Sequence, residues 1–115
     1  MTVTLRPHAP RTEGARHFLD AGPKALWIGG AWVAAPSDLP SHDPATGREI
    51  ARIGAAGGPE IDAAVAAARA ALESPDWADM APAARGRLLW RIAETIEAHA
   101  DELAELETLD QGKTL

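Results

Sequence analysis

The sequence predicts an α/β segment in which a β-hairpin and short strands precede two or three helices. Short β-type runs flank the dipeptide Gly29-Gly30, and from Gly58 onward the apolar spacing changes from alternation to the period of a helix. The punctuation agrees. Pro59 and Pro82 stand where helices start, and Gly112 stands where one stops.

Taken in order, residues 1–24 carry Arg6, Pro7, Pro10, Arg11, Gly14, Arg16, Gly22 and Pro23 with little periodicity. This is the pattern of a flexible or loosely attached N-terminal arm, in which Phe18 and Leu19 could pin one short turn. In "ALWIGGAWVAA" the runs Leu26–Ile28 and Ala31–Ala34 enclose two glycines that tolerate positive φ, so a tight hairpin is expected. "PSDLPSHDPATG" is rich in Pro, Ser, Asp and Gly and reads as loop, with turn chemistry in "DPATG". "REIARIG" alternates Ile50 and Ile53 with polar neighbours and reads as a strand.

Pro59 then opens "EIDAAVAAARAAL", where Ile61, Val65, Ala68 and Leu72 share helical spacing and the alanines favour helix. "ESPDWADMAP" reads as the loop that ends it, with Trp77 as its large apolar group. Pro82 opens a second helix striped by Leu88, Leu89, Ile92 and Ile96. Asp101 is a candidate N-cap for a third, carrying Leu103, Leu106 and Leu109, unless the second and third are one helix bent near His99.

Bulk properties exclude several function classes. The chain has 115 residues, 46% hydrophobic and 24% charged, which is the mixture of one small globular unit. Its formal charge of -6, with no basic run to offset it, argues against nucleic acid as a partner. No stretch is long and apolar enough to span a membrane, and the first residues lack a signal-peptide core, so a soluble cytoplasmic setting is expected. The absence of cysteine removes disulfides, thiolate metal sites and a cysteine nucleophile from these residues.

The closing "LDQGKTL" ends a phosphate-loop-like Gly-Lys-Thr, but such a loop needs a glycine where Glu107 stands, and a strand before it rather than a helix. The nucleotide reading therefore fails. His8, His17, His42 and His99 form no helical pair of metal ligands. Arg85, Arg87 and Arg91 are followed by Glu94, Glu97 and Asp101, the pattern of a solvated, charge-laced face. Ser37, Ser41 and Ser74 lie in Pro-rich loops with no attendant histidine, so no hydrolase constellation is present.

Asp110 breaks a local rule. It falls at a helix C-terminus, where a carboxylate is unfavourable by about 0.3–1 kcal/mol. Either Lys113 or water offsets it, or the carboxylate and nearby carbonyls hold a cation.

From Leu26 onward the order of segments resembles the N-terminal portion of the NAD(P)-dependent aldehyde dehydrogenases. "LWIGGAWV" is similar to the family's opening hairpin, and "HDPATGREIARI" to its "NPATGE" turn and following strand. "EIDAAVAAARAALESPDWADM" resembles its first helix and the tryptophan after it, and the segment from "PAARGRLLW" to "LETLDQGKTL" resembles the pair of helices ending in "LE-x-LD-x-GK". The flavour is that of the phenylacetaldehyde and betaine aldehyde branch. Asp43 replaces the usual asparagine, and Ala81 and Ala84 replace a threonine and a glutamate whose capping box is worth about 1 kcal/mol.

The resemblance implies a Rossmann-type α/β fold, with residues 25–115 as an incomplete cofactor-binding domain and residues 1–24 as the arm. It implies oxidation of an aldehyde substrate to a carboxylic acid with NAD or NADP through a cysteine thiohemiacetal, in a homo-oligomer. The family's catalytic and main cofactor-binding residues lie downstream of this segment, so none is assigned within it. Some members bind a structural K+ or Na+ through positions matching Ser41, His42 and Asp110. The chain is thus expected to be an enzyme's N-terminal fragment, inactive alone and prone to self-association. The alternative is a stand-alone, non-catalytic helical interaction protein or degenerate remnant.

Overall fold

The computed structural model describes residues 9–115, so the reading of the first eight residues as arm lies outside the described residues. The elements run α1 (Glu13–Asp20), β1 (Leu26–Ile28), β2 (Ala31–Val33), β3 (Ser37–His42), β4 (Glu49–Ala55), α2 (Gly58–Glu73), α3 (Pro75–Ala78), α4 (Pro82–Ala98) and α5 (Ala100–Gln111). They gather into two compact units. One holds the segment up to Lys24, Asp38–Ile53 and His99–Leu115; the other holds Ala25–Ser37 and Gly54–Ala98.

In the first unit the composition of residues 1–24 led us to expect irregular chain, yet Glu13–Asp20 form a helix. Thr12 caps it, its hydroxyl accepting from the Ala15 N–H at 3.2 Å. Ala15, Phe18 and Leu19 have helical spacing, and Ala15 is fully buried where α1 packs on α5. That contact stabilises a helix too short to persist on propensity alone. The chain leaves α1 through Gly22 and Pro23. Lys24 then anchors it, donating its N–H to the Arg52 carbonyl at 2.9 Å and forming a parallel bridge with Ile53.

β3 pairs with β4, although the loop-like composition of residues 36–47 had suggested no strand there. Pro40 lacks an N–H, but a strand with a free edge loses nothing on that side. The turn that joins them is built by Asp43, which is buried. Its carboxylate accepts from the Ala45 N–H at 2.8 Å and the Thr46 hydroxyl at 2.7 Å, and its own N–H donates to the Arg48 carbonyl at 2.9 Å. Substitution of asparagine by aspartate at this position thus keeps the turn. On β4, Arg52 lies between Asp38 and Glu49, 2.6 and 3.2 Å away. Hydrogen bonds to Asp38 first and Glu49 second hold its guanidinium pKa above the ordinary value.

α5 begins two residues earlier than its sequence suggested. His99 occupies the position before the helix, and Asp101 falls in the first turn, where its charge meets the positive end of the helix dipole. His99, with φ near -113°, separates α4 from α5. Gly112 ends α5 at φ 72°, its N–H donating to the Thr108 carbonyl at 2.9 Å. A side chain there would be strained by the left-handed backbone and would stand 3.0 Å from the Pro44 ring.

In the second unit β1 and β2 form the expected antiparallel hairpin, pairing Leu26 with Val33, Trp27 with Trp32 and Ile28 with Ala31. Gly29 and Gly30, at φ 60° and 82°, supply the two left-handed positions that the turn requires. The Trp27 and Trp32 rings meet edge-to-face at 4.9 Å. α2 packs against β1, and Ala67 comes close to the hairpin turn. At its start the Gly57 N–H donates to the Glu60 carboxylate at 2.8 Å.

The segment read as the loop after α2 contains the short helix α3. Pro75 ends α2 but serves as an N-terminal residue of α3, where its missing N–H costs nothing. Arg85 is not part of a purely solvated face. Its guanidinium donates to the Trp77 and Ala78 carbonyls at 2.8 and 3.2 Å and lies over the Trp77 ring at 5.0 Å. α4 starts on backbone bonds to Ala81, whose carbonyl accepts from Ala84 and Arg85.

Two physical consequences can be measured. Gly112→Ala should lower stability by about 1–2 kcal/mol through the left-handed backbone, with the Pro44 contact adding to it. The urea midpoint of the helical signal reports this, and an unchanged or higher midpoint contradicts it. The second concerns apolar exposure. Neither α2 nor α4 buries a residue fully, and Leu89, Trp90, Ile92 and Ile96 are 65, 72, 50 and 54% exposed. The isolated chain should therefore self-associate in sedimentation experiments as its concentration rises. A monodisperse monomer with one cooperative thermal transition would contradict that expectation.

Candidate functional site

β3 ends at the two residues singled out in the sequence, Ser41 and His42, and α5 ends near the third, Asp110. The fold of the first unit brings Ser41 and Asp110 together from positions 69 residues apart. The Ser41 hydroxyl donates to Asp110 Oδ1 at 2.5 Å, a charge-assisted hydrogen bond at the solvent-exposed end of the helix. His42 is the next residue of the same strand and is exposed.

This geometry decides how the unfavourable placement of Asp110 is relieved. Lys113 does not neutralise it. The lysine ammonium pairs with Glu107 of α5 at 2.5 Å, six residues back along the chain. The relief comes from β3, through a hydroxyl the local sequence does not contain. The Gly112 N–H is committed to the end of its own helix, so that amide is not offered to a phosphate.

Beside this pair lies a cavity of about 340 Å³. Phe18 and Leu19 of α1, Ile50 and Ile53 of β4, and Leu106 and Leu109 of α5 contribute apolar walls, and Ser41 and Asp110 contribute its polar edge. Among the described residues no three His, Cys, Asp or Glu side chains come together as a metal cluster.

Sequence reasoning missed Glu105. This carboxylate is only 2% exposed and, among the described contacts, accepts three hydrogen bonds from Arg11 and Thr12 at the start of α1. They come from the Arg11 N–H at 2.6 Å, the Thr12 N–H at 2.8 Å and the Thr12 hydroxyl at 2.8 Å. Burying an ionised group is costly unless it is compensated, and these donors offset that cost. The signal was the helical spacing of Ala15, Phe18 and Leu19 after a capping threonine, which the flanking prolines and glycines masked.

Among known proteins, the model of the Aldehyde dehydrogenase family matches residues 32–115. The phenylacetaldehyde dehydrogenase of Pseudomonas fluorescens is 41% identical, over 99% of this chain and 22% of its own length. Betaine aldehyde dehydrogenase 1 of Rhizobium meliloti is 48% identical, over 83% of this chain and 20% of its own. The solved NAD+ complex of an aldehyde dehydrogenase from Bacillus cereus is 38% identical. It superposes with a TM-score of 0.83, covering 88% of this chain and 21% of that one. The chain thus spans about a fifth of the length of the relatives it matches. Among the described residues no helix is long and apolar enough to cross a membrane. The family match over residues 32–115 and the likeness to these relatives place the chain in the aldehyde dehydrogenase family, to which it belongs.

Proposed function

We propose that these residues form the N-terminal part of an NAD(P)-dependent enzyme that oxidises aldehydes to carboxylic acids. The observation that carries this reading is the match to the family over residues 32–115, together with a backbone like that of an NAD+-bound relative. With no cysteine in the chain, the nucleophile and the cofactor contacts come from residues outside these 115. Residues 25–115 serve as the start of the cofactor-binding domain. Their exposed apolar helix faces fit a role inside a larger, homo-oligomeric and cytoplasmic assembly. NAD or NADP would accept the hydride; the residues here support the domain that binds it.

The Ser41–Asp110 junction takes a structural role in the same reading. A K+ or Na+ ion would rest on the Asp110 carboxylate and the backbone oxygens of Ser41 and His42. What supports this is the proximity of β3 to a carboxylate that no lysine neutralises. The His42 imidazole has no part in it. The exposed α4 face, with Trp90 72% accessible, favours as a second reading a non-catalytic helical interaction protein.

Protein made from the complete reading frame should reduce NAD+ or NADP+ in the presence of an aldehyde, while residues 1–115 alone should not. Turnover by the 115-residue chain, or none from the complete protein across aromatic and aliphatic aldehydes, would overturn the enzyme reading. For the cation, Asp110→Asn should abolish the chemical-shift response of residues 41, 42 and 110 to millimolar K+ or Na+. Ser41→Ala should weaken the β3–α5 junction by about 0.5–1.5 kcal/mol, measured as a double-mutant cycle with Asp110→Asn. A parent chain whose shifts ignore both ions would remove the cation from the proposal.

A further inference from the structure

We infer that residues 11–21 form a hinged strap, latched by Glu105, that closes one wall of the apolar cavity beside Ser41 and Asp110. The latch and the hinge sit at opposite ends of the strap. At the N-terminal end every described contact to the latch converges on one carboxylate, which takes two backbone N–H groups and one hydroxyl. The same Thr12 hydroxyl that donates to Glu105 accepts from Ala15, so the latch and the helix cap are one network. Losing the carboxylate therefore loosens both the attachment and the first turn of α1.

At the other end the chain pivots between two fixed points. Lys24 is tied to β4 through the Arg52 carbonyl and does not travel with α1. Between α1 and Lys24 lies Gly22, at φ 76° with open space where a side chain would stand. The Lys24 ammonium donates to the Phe18 carbonyl and lies over the Phe18 ring at 4.5 Å, so it seats the last turn of α1 when the strap is closed. Between the two ends α1 offers little to hold it. Ala15 is its single fully buried side chain, and Phe18 remains 40% exposed.

Opening about Gly22 would withdraw Phe18 and Leu19 from the cavity and leave Leu106 and Leu109 of α5 facing water. The strap is thus a local opening unit of low stability set against a better-held β3–β4 and α5. Its position beside Asp110 means that its closure governs access from that side.

The test is amide hydrogen exchange by mass spectrometry on the whole chain at low concentration, comparing Glu105→Gln with the parent. The amide keeps the volume but cannot supply two accepting oxygens. Exchange across residues 12–20 should accelerate by about tenfold to a hundredfold, while residues 41–52 and 106–111 change by less than about twofold. Binding of an apolar fluorescent dye should rise in parallel. Thr12→Val, which leaves the carboxylate in place, should give the same pattern at smaller amplitude. Unchanged protection of residues 12–20 in Glu105→Gln overturns the latch. An equal loss of protection across α1, β4 and α5 in both variants also overturns it, since Glu105 would then be a general core residue.

Discussion

The buried carboxylate of Glu105 joins the start of α1 to α5 in the first unit. Glu105 is almost fully enclosed, yet it lies on a helix whose other faces meet water, and the donors that make its burial tolerable come from the far N-terminal end of the chain. The consequence runs both ways. Arg11 and Thr12 help to compensate the buried carboxylate, and without the carboxylate α1 would be eight residues of marginal helix. Five residues further along α5, Asp110 repeats the arrangement in the open, taking the Ser41 hydroxyl from β3. Two acidic side chains on one helix therefore collect two distant segments, and the apolar contacts of Ala15 and Leu109 fill the space between.

The division between what the sequence discloses and what it conceals follows from the range of the interactions. The hairpin at Gly29-Gly30, the helix starts at Pro59 and Pro82 and the stop at Gly112 are written in residues adjacent to the feature they cause. Each is present in the structure. β3 was not legible, because Pro40 and its polar neighbours argue locally for loop, while pairing with β4 decides otherwise. α1 was not legible for the same reason. Its composition resembles an arm, and the group that holds it is 93 residues away from Thr12.

The Ser41–Asp110 contact is an intermediate case. Its members were singled out from the sequence by an electrostatic oddity and by a resemblance, but the local chemistry suggested Lys113 as the partner of Asp110. Geometry gives that lysine to Glu107 instead. At a helix end a side chain three residues on has several carboxylates within reach, so proximity in sequence does not assign the pair. The second unit shows the limit of local information from the other direction. Its helices form where their patterns say, but neither α2 nor α4 buries a residue fully. Helix patterning specifies a face to be covered and leaves open what covers it.

The separation between the Arg11 N–H and the Glu105 carboxylate also orders events during synthesis. The strap leaves the ribosome before its latch, which is made 94 residues later. At elongation rates of about 5–20 residues per second, that interval lasts roughly 5–20 s. Throughout it the capping threonine and the apolar side chains of α1 have no described partner to dock on. The strap is therefore secured well after it is made, and a nascent-chain chaperone that recognises short apolar stretches would meet Phe18 and Leu19 before α5 exists.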